Sequence, residues 1–119
     1  MEKDRYIKGL RGEEAAEAYL TDQGMTCLAR RYRAQDGEID LIMDDCGMLV
    51  FVEVKSRPNN RAGTGLMAVT PNKQRRMTHA ALQFIADGEG FGKPVRFDVV
   101  EITADGIRHV RNAFQCSGW

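Results

Sequence analysis

Apolar positions recur with a helical period in two stretches of this chain and with a period of two in five others, and the changes of period give the order α-β-β-β-α-β-β. From about Ile7 to Gln23 the pattern is helical, with Ala16, Tyr19 and Leu20 as its apolar stripe and Gly24 where a C-terminal cap belongs. Thr26 to Arg33 reads as a short strand. Gly37 to Met43 and Met48 to Ser56 read as the two strands of a hairpin, joined by the polar turn Asp44-Asp45-Cys46-Gly47. Thr70-Pro71 pairs an N-cap threonine with a proline at the first helical position, and that helix runs to about Ala86 with Met77, Ala81, Phe84 and Ile85 inward. Pro94 to Thr103 and Ile107 to Val110 read as closing strands, with Phe114 placed to tuck a ring under the sheet. The stretch 57–68 has no apolar period and holds Pro58, Asn59, Asn60, Gly63 and Gly65, so it reads as a mobile loop. No linker or repeat divides the chain, and residues 1–119 read as a single α/β domain.

The hairpin is where this pattern is violated. Alternation puts Ile39, Leu41 and Met43 on one face with Val50, Val52 and Val54, a continuous apolar surface. The other face carries Glu38, Asp40 and Ile42, then Leu49, Phe51, Glu53 and Lys55. If the turn pairs Asp44 with Leu49, the register sets Ile42 opposite Phe51, Asp40 opposite Glu53 and Glu38 opposite Lys55. Opposed residues have Cβ atoms about 4.5–5.5 Å apart, a spacing at which two carboxylates repel unless a positive charge lies between them. A divalent cation held by Asp40 and Glu53 meets that need, and Lys55 beside them suits phosphodiester hydrolysis by positioning water or stabilising the charged transition state. A structural ion pair at the strand ends is the alternative.

Other charges extend the picture. Glu13 falls on the inward stripe of the first helix, so it is either a third site carboxylate or the partner of Lys55 or an arginine. Arg30, Arg31 and Arg33 follow one another on the first strand, and Lys73 and Arg76 share one side of the second helix's first turn, where cations oppose the macrodipole and suggest an anion to bind. These five are candidate phosphate contacts; solvated charge on an edge strand is the plain reading of the arginines. Seventeen basic against seventeen acidic residues give no net charge, less basic than a dedicated DNA-binding domain. Cys27, Cys46 and Cys116 are odd in number and lack a C-x-x-C pair, which argues against a disulfide framework or a structural zinc site. No apolar run approaches the ~20 residues of a membrane span and no signal segment follows the N-terminus, so a cytoplasmic protein without membrane contact is expected.

Asp40 followed by Glu53-Val54-Lys55 resembles the D…(D/E)xK core of the PD-(D/E)xK nucleases. More specifically, Gly12-Glu13, Ala16, Tyr19-Leu20, Gly24, Gly37 to Ile42, Val50 to Lys55, Ala68-Val69, Lys73, Arg76 and Arg96 to Val100 resemble, in order, the YraN-like family of small bacterial proteins similar to archaeal Holliday junction resolvases. Ile39 stands where the name-giving proline of the superfamily would be. The resemblance implies a restriction-endonuclease-like mixed central sheet flanked by helices. It also implies a Mg²⁺- or Mn²⁺-dependent endonuclease acting on structured or branched DNA, with Asp40, Glu53 and Glu13 around the metal, Lys55 at the water and Glu38 as an auxiliary acid. Resolvases work as dimers, which makes a homodimer plausible by analogy. A weakly active or inactive nucleic-acid- or protein-binding module on the same fold is the alternative. Asp98, in the Arg96-Phe97-Asp98 segment, is expected to anchor Arg96 or a backbone turn instead of a metal.

Overall fold

Five strands form one sheet in the order β1-β2-β3-β4-β5. The computed structural model describes residues 2–57, 69–88 and 90–115, with side chains from Gly12 onward, so residues 58–68 of the expected loop, and Cys116, lie outside the described residues. Its elements are α1 (Glu2–Asp22), β1 (Thr26–Ala34), β2 (Gly37–Asp45), β3 (Met48–Arg57), α2 (Pro71–Ala86), β4 (Val95–Thr103) and β5 (Gly106–Phe114), in the expected order. β1, β2 and β3 make an antiparallel meander, β4 joins β3 in parallel and β5 returns antiparallel to β4. A parallel neighbour requires a crossover, and α2 lies on it.

Local chemistry accounts for most of the boundaries. α1 begins at Glu2 instead of near Ile7, and it ends where Gly24 takes φ +97° and the Met25 N–H donates to the Leu20 carbonyl at 3.1 Å. Between β2 and β3, Cys46 and Gly47 adopt φ +52° and +95° while Asp45 pairs with Met48. The turn is therefore a two-residue turn with both central residues left-handed, and Asp44 and Asp45 belong to the strand. Thr70 caps α2 by accepting from the Lys73 N–H at 3.2 Å, with Pro71 behind it. β5 runs on to Phe114 instead of stopping at Val110. Asn112 at φ +52° and a register shift absorb the irregularity, and Phe114 stacks on Phe97 at 4.9 Å between ring centroids.

Each helix covers one face. Ala16 and Leu20 of α1 pack on Leu41, Met43, Val50, Val52 and Val100, while Met77, Ala80, Ala81 and Phe84 of α2 pack on Ile42, Phe51 and Phe97. Ile85, expected inside, is half-buried at the margin of this second core. Ile39 corrects the sequence reading: it packs under α2, whereas Leu41 and Met43 lie under α1. Strict alternation thus fails between Ile39 and Leu41. Across from this break, between the pairs Arg30↔Leu41 and Tyr32↔Ile39, Arg31 adopts φ +49°. The start of β2 is also drawn tightly against α2, because a Cβ on Gly37 would lie 2.1 Å from the Arg76 carbonyl oxygen. Only glycine permits that approach.

Candidate active site

The break in β2 builds the site. The expected register holds from Asp45↔Met48 through Ile42↔Phe51 to Leu41↔Val52 and then stops, so the pairs Asp40↔Glu53 and Glu38↔Lys55 do not form. Asp40 instead reaches across the gap, its Oδ2 accepting from the Val54 N–H at 2.8 Å. The two acids nevertheless meet, since Glu53 lies within hydrogen-bonding reach of Asp40. β3 continues past the gap with β4 on its far side, through Glu53↔Val99 and Lys55↔Glu101, which keeps the Glu53 strand straight and its side chain inside.

Glu53 is only 4% exposed. Burial pushes its carboxyl up, the negative charge of Asp40 and a shared hydrogen bond push it further, and Lys73 and Lys55 oppose them only in part, leaving a pKa of about 7. Lys73, from the first turn of α2, sets its Nζ 3.2 Å from Glu53 Oε2, and Lys55 sets its Nζ 4.0 Å from Oε1. Buried Glu53, set against half-buried Asp40, therefore faces two ammonium groups delivered by different elements. Gly37 matters here because the same approach that excludes a Cβ seats the first turns of α2 beside β2.

Glu13 approaches from α1. With Arg31, Arg33, Glu38, Ile39 and Asp40 it lines a cleft beside the strand break. Its carboxyl is held by Arg31 Nη2 at 2.6 Å, the arginine form of the inward ion pair that the sequence allowed. Burial and the Asp40 charge still raise its pKa, ahead of the lowering from Arg31. Among the described residues, no three acids, histidines or cysteines come together in a group able to hold a metal ion. Asp40 and Glu53 form the close pair, with Glu13 set apart on its arginine.

The other candidate phosphate contacts are mostly engaged internally. Arg30 binds Glu17, Arg31 binds Glu13, and Arg33 lies 3.7 Å from Glu38. Lys73 is spent on Glu53, whereas Arg76 has no ion-pair partner among the described residues. Sequence reasoning placed Lys73 with the phosphate contacts and missed its contact with Glu53, because nothing local reveals that β3 and α2 meet there. Asp98 does what was expected of it. It accepts from Arg96 Nε at 3.0 and 3.2 Å and from the Asn112 N–H at 2.9 Å, and His109 Nε2 adds a contact at 2.7 Å. Cys27 and Cys46 are free thiols.

The fold and site define a small α/β protein with a mixed sheet, one helix on each face and an acid pair at a break in the second strand. Residues 12–102 match the family described as "Uncharacterised protein family UPF0102". The chain belongs to that family. It is 40% identical over 119 residues to a UPF0102 protein of Desulfosudis oleivorans, covering 98% of this chain and 97% of the relative. It is 45% identical over 107 residues to one of Saccharophagus degradans, covering 89% and 91%, and 41% identical over 116 residues to one of Lachnoclostridium phytofermentans, covering 97% and 98%. No helix among the described residues is long and apolar enough to cross a membrane.

Proposed function

We propose that this protein hydrolyses phosphodiester bonds with a divalent metal, acting on structured or branched DNA. The observation that carries the reading is the buried Glu53 carboxylate, pressed against Asp40 and flanked by Lys55 and Lys73. Such a pair is unfavourable for folding and has a use if a cation occupies it. The donors fit the ion: two hard carboxylates without thiol or imidazole suit Mg²⁺ or Mn²⁺, which commonly keep one or two protein carboxylates and fill their remaining positions with water and substrate phosphate. Asp40 and Glu53 would hold the metal, and Glu13, within electrostatic reach of Asp40, is the candidate third acid once released from Arg31. When bound, the ion supplies Lewis-acid activation of the phosphate and a more acidic water.

The chain's own groups do the rest. Asp40 stays fixed because its Oδ2 is tied to the Val54 N–H. Lys55 lies close to Glu53 and partly open to solvent, able to orient a water or steady charge on the phosphate. Glu38 and Arg33 at the cleft mouth, and Arg76 on α2, flank the approach of a backbone. A second reading, a binding module without turnover, draws support from the acid partners of Arg30, Arg31 and Arg33, which leave little free positive charge on β1. Two copies acting on a symmetric junction would answer that shortage by doubling the contact surface.

Calorimetric titration with Mn²⁺ and Mg²⁺, combined with cleavage of labelled four-way and linear DNA by the same samples, separates the two. The parent should bind metal and cleave, cleavage should stop with chelator, and Asp40→Asn should lose both while keeping its circular dichroism spectrum. Lys55→Ala should retain metal and lose cleavage by a factor of at least about 100. Metal-independent cutting, or undiminished cutting by pure Asp40→Asn, removes this reading.

A further inference from the structure

We infer that Lys73 is the built-in counter-cation of this site, holding the position of the metal's positive charge in the metal-free protein and leaving Glu53 when the metal enters. The inference rests on the metal reading above and concerns how the site is loaded.

Lys73 is placed where a lysine is otherwise disfavoured. It lies in the first turn of α2, at the positive end of the helix dipole, and that turn carries no acidic residue to offset it. Its backbone N–H is already satisfied by Thr70 Oγ1. What holds the ammonium is Glu53 Oε2, at a distance short enough for a charge-assisted hydrogen bond, whereas Lys55 at 4.0 Å from Oε1 is too far for one. The two lysines are therefore unequal: Lys73 is bound to the acid and Lys55 is only near it.

A metal held by Asp40 and Glu53 would compete with the Lys73 ammonium for the Glu53 carboxylate. It also places a second positive centre against the ammonium in a poorly solvated notch, where like charges repel strongly. Lys73 can yield, because its side chain is about a quarter exposed and has a flexible four-carbon stem. Once released, it stands in the first turn of α2, where an anion is favoured, with Arg76 one turn further along the helix. Loading the metal thus converts an internal ion pair into a phosphate contact, and the basic charge of the groove appears only when the site is ready to use it.

The test is calorimetric Mn²⁺ binding at pH 7.5 to the parent, to Lys73→Met, which keeps the apolar stem, and to Lys73→Gln as a second variant should the first fold poorly. Thermal melts of each are run in chelator and in saturating Mn²⁺. Both variants should bind Mn²⁺ about 10-fold more tightly than the parent, since no ammonium has to be displaced. They should melt below the parent in chelator and level with it when loaded. Equal or weaker metal binding in the variants, or a melting deficit that persists in Mn²⁺, overturns the counter-cation role and leaves the metal site standing. Absence of Mn²⁺ binding in all three proteins overturns both.

Discussion

Glu53 and Asp98 are buried carboxylates on adjacent parallel strands, one residue apart in register, since Asp98 pairs with Val52 and Glu53 with Val99. They point to opposite faces and meet opposite fates. Burial opposes ionisation of Asp98 too, but the contacts from His109, Arg96 and the Asn112 N–H outweigh it and hold its pKa below the usual range. Glu53 is given a second acid and two incompletely matched lysines, and its pKa rises to about 7. An acid whose donors are saturated is part of the structure; one left in deficit is available to a ligand. Burial alone does not distinguish them.

The largest expected effect comes from breaking the saturated side. Asp98→Asn strips Arg96 and His109 of their shared charge and should cost about 3–5 kcal/mol at neutral pH, measured by urea unfolding. Because the folded pKa of Asp98 is depressed, its contribution is present above the ordinary carboxylate value near 3.8 and is lost as pH falls through the folded value. The deficit of the variant should therefore shrink in acid.

Glu53→Gln should do the reverse. A folded pKa raised from 4.5 to about 7 means that Glu53 favours the fold fully below pH 4.5 and that this stability is lost as pH rises through about 7. At about 1.4 kcal/mol per unit, and with the two lysine contacts already included in the raised pKa, the metal-free variant should be more stable than the parent by about 3 kcal/mol at pH 8. The two should converge by pH 4.5, and a variant less stable than the parent at pH 8 would contradict the account of Glu53 as an acid in deficit. The smallest change is expected from Arg31→Met. Its partly exposed pair with Glu13 should contribute no more than about 1 kcal/mol, less in high salt. Removing it leaves Glu13 uncompensated beside Asp40, so metal should bind somewhat more tightly.

Much of this architecture was legible in the sequence because its signals are local. The Thr70-Pro71 cap, Gly24 after α1, the hairpin turn and the register from Asp45↔Met48 to Leu41↔Val52 all follow from residues near one another in the chain. So did the meeting of Asp40 with Glu53, although the expected direct pairing was wrong. Ile39-Asp40-Leu41 looks like regular alternation, and nothing in its composition announces a break that depends on a left-handed Arg31 in another strand and on α2 pressing against Gly37. Arg96 was identifiable as the partner of Asp98, being two residues away on the same face. His109 and the Asn112 N–H were not, because they arrive through β5 with a register shift that the sequence does not mark. Lys73 was visible as a cation; its bond to Glu53 depends on a long-range packing that periodicity does not encode.

The parallel joining of β3 to β4 also sets an order of assembly. The meander from β1 to β3 uses contacts close in sequence and is the part that closes quickly, whereas Val52↔Asp98 must wait for the crossover through α2. Asp40 and Glu53 are thus brought together by the early meander, and the ammonium of Lys73 reaches them only with the later helix. The repulsion between the two acids therefore falls on the chain before its relief does, and Glu53→Gln is expected to refold faster than the parent at pH 8, a difference that stopped-flow measurements would detect.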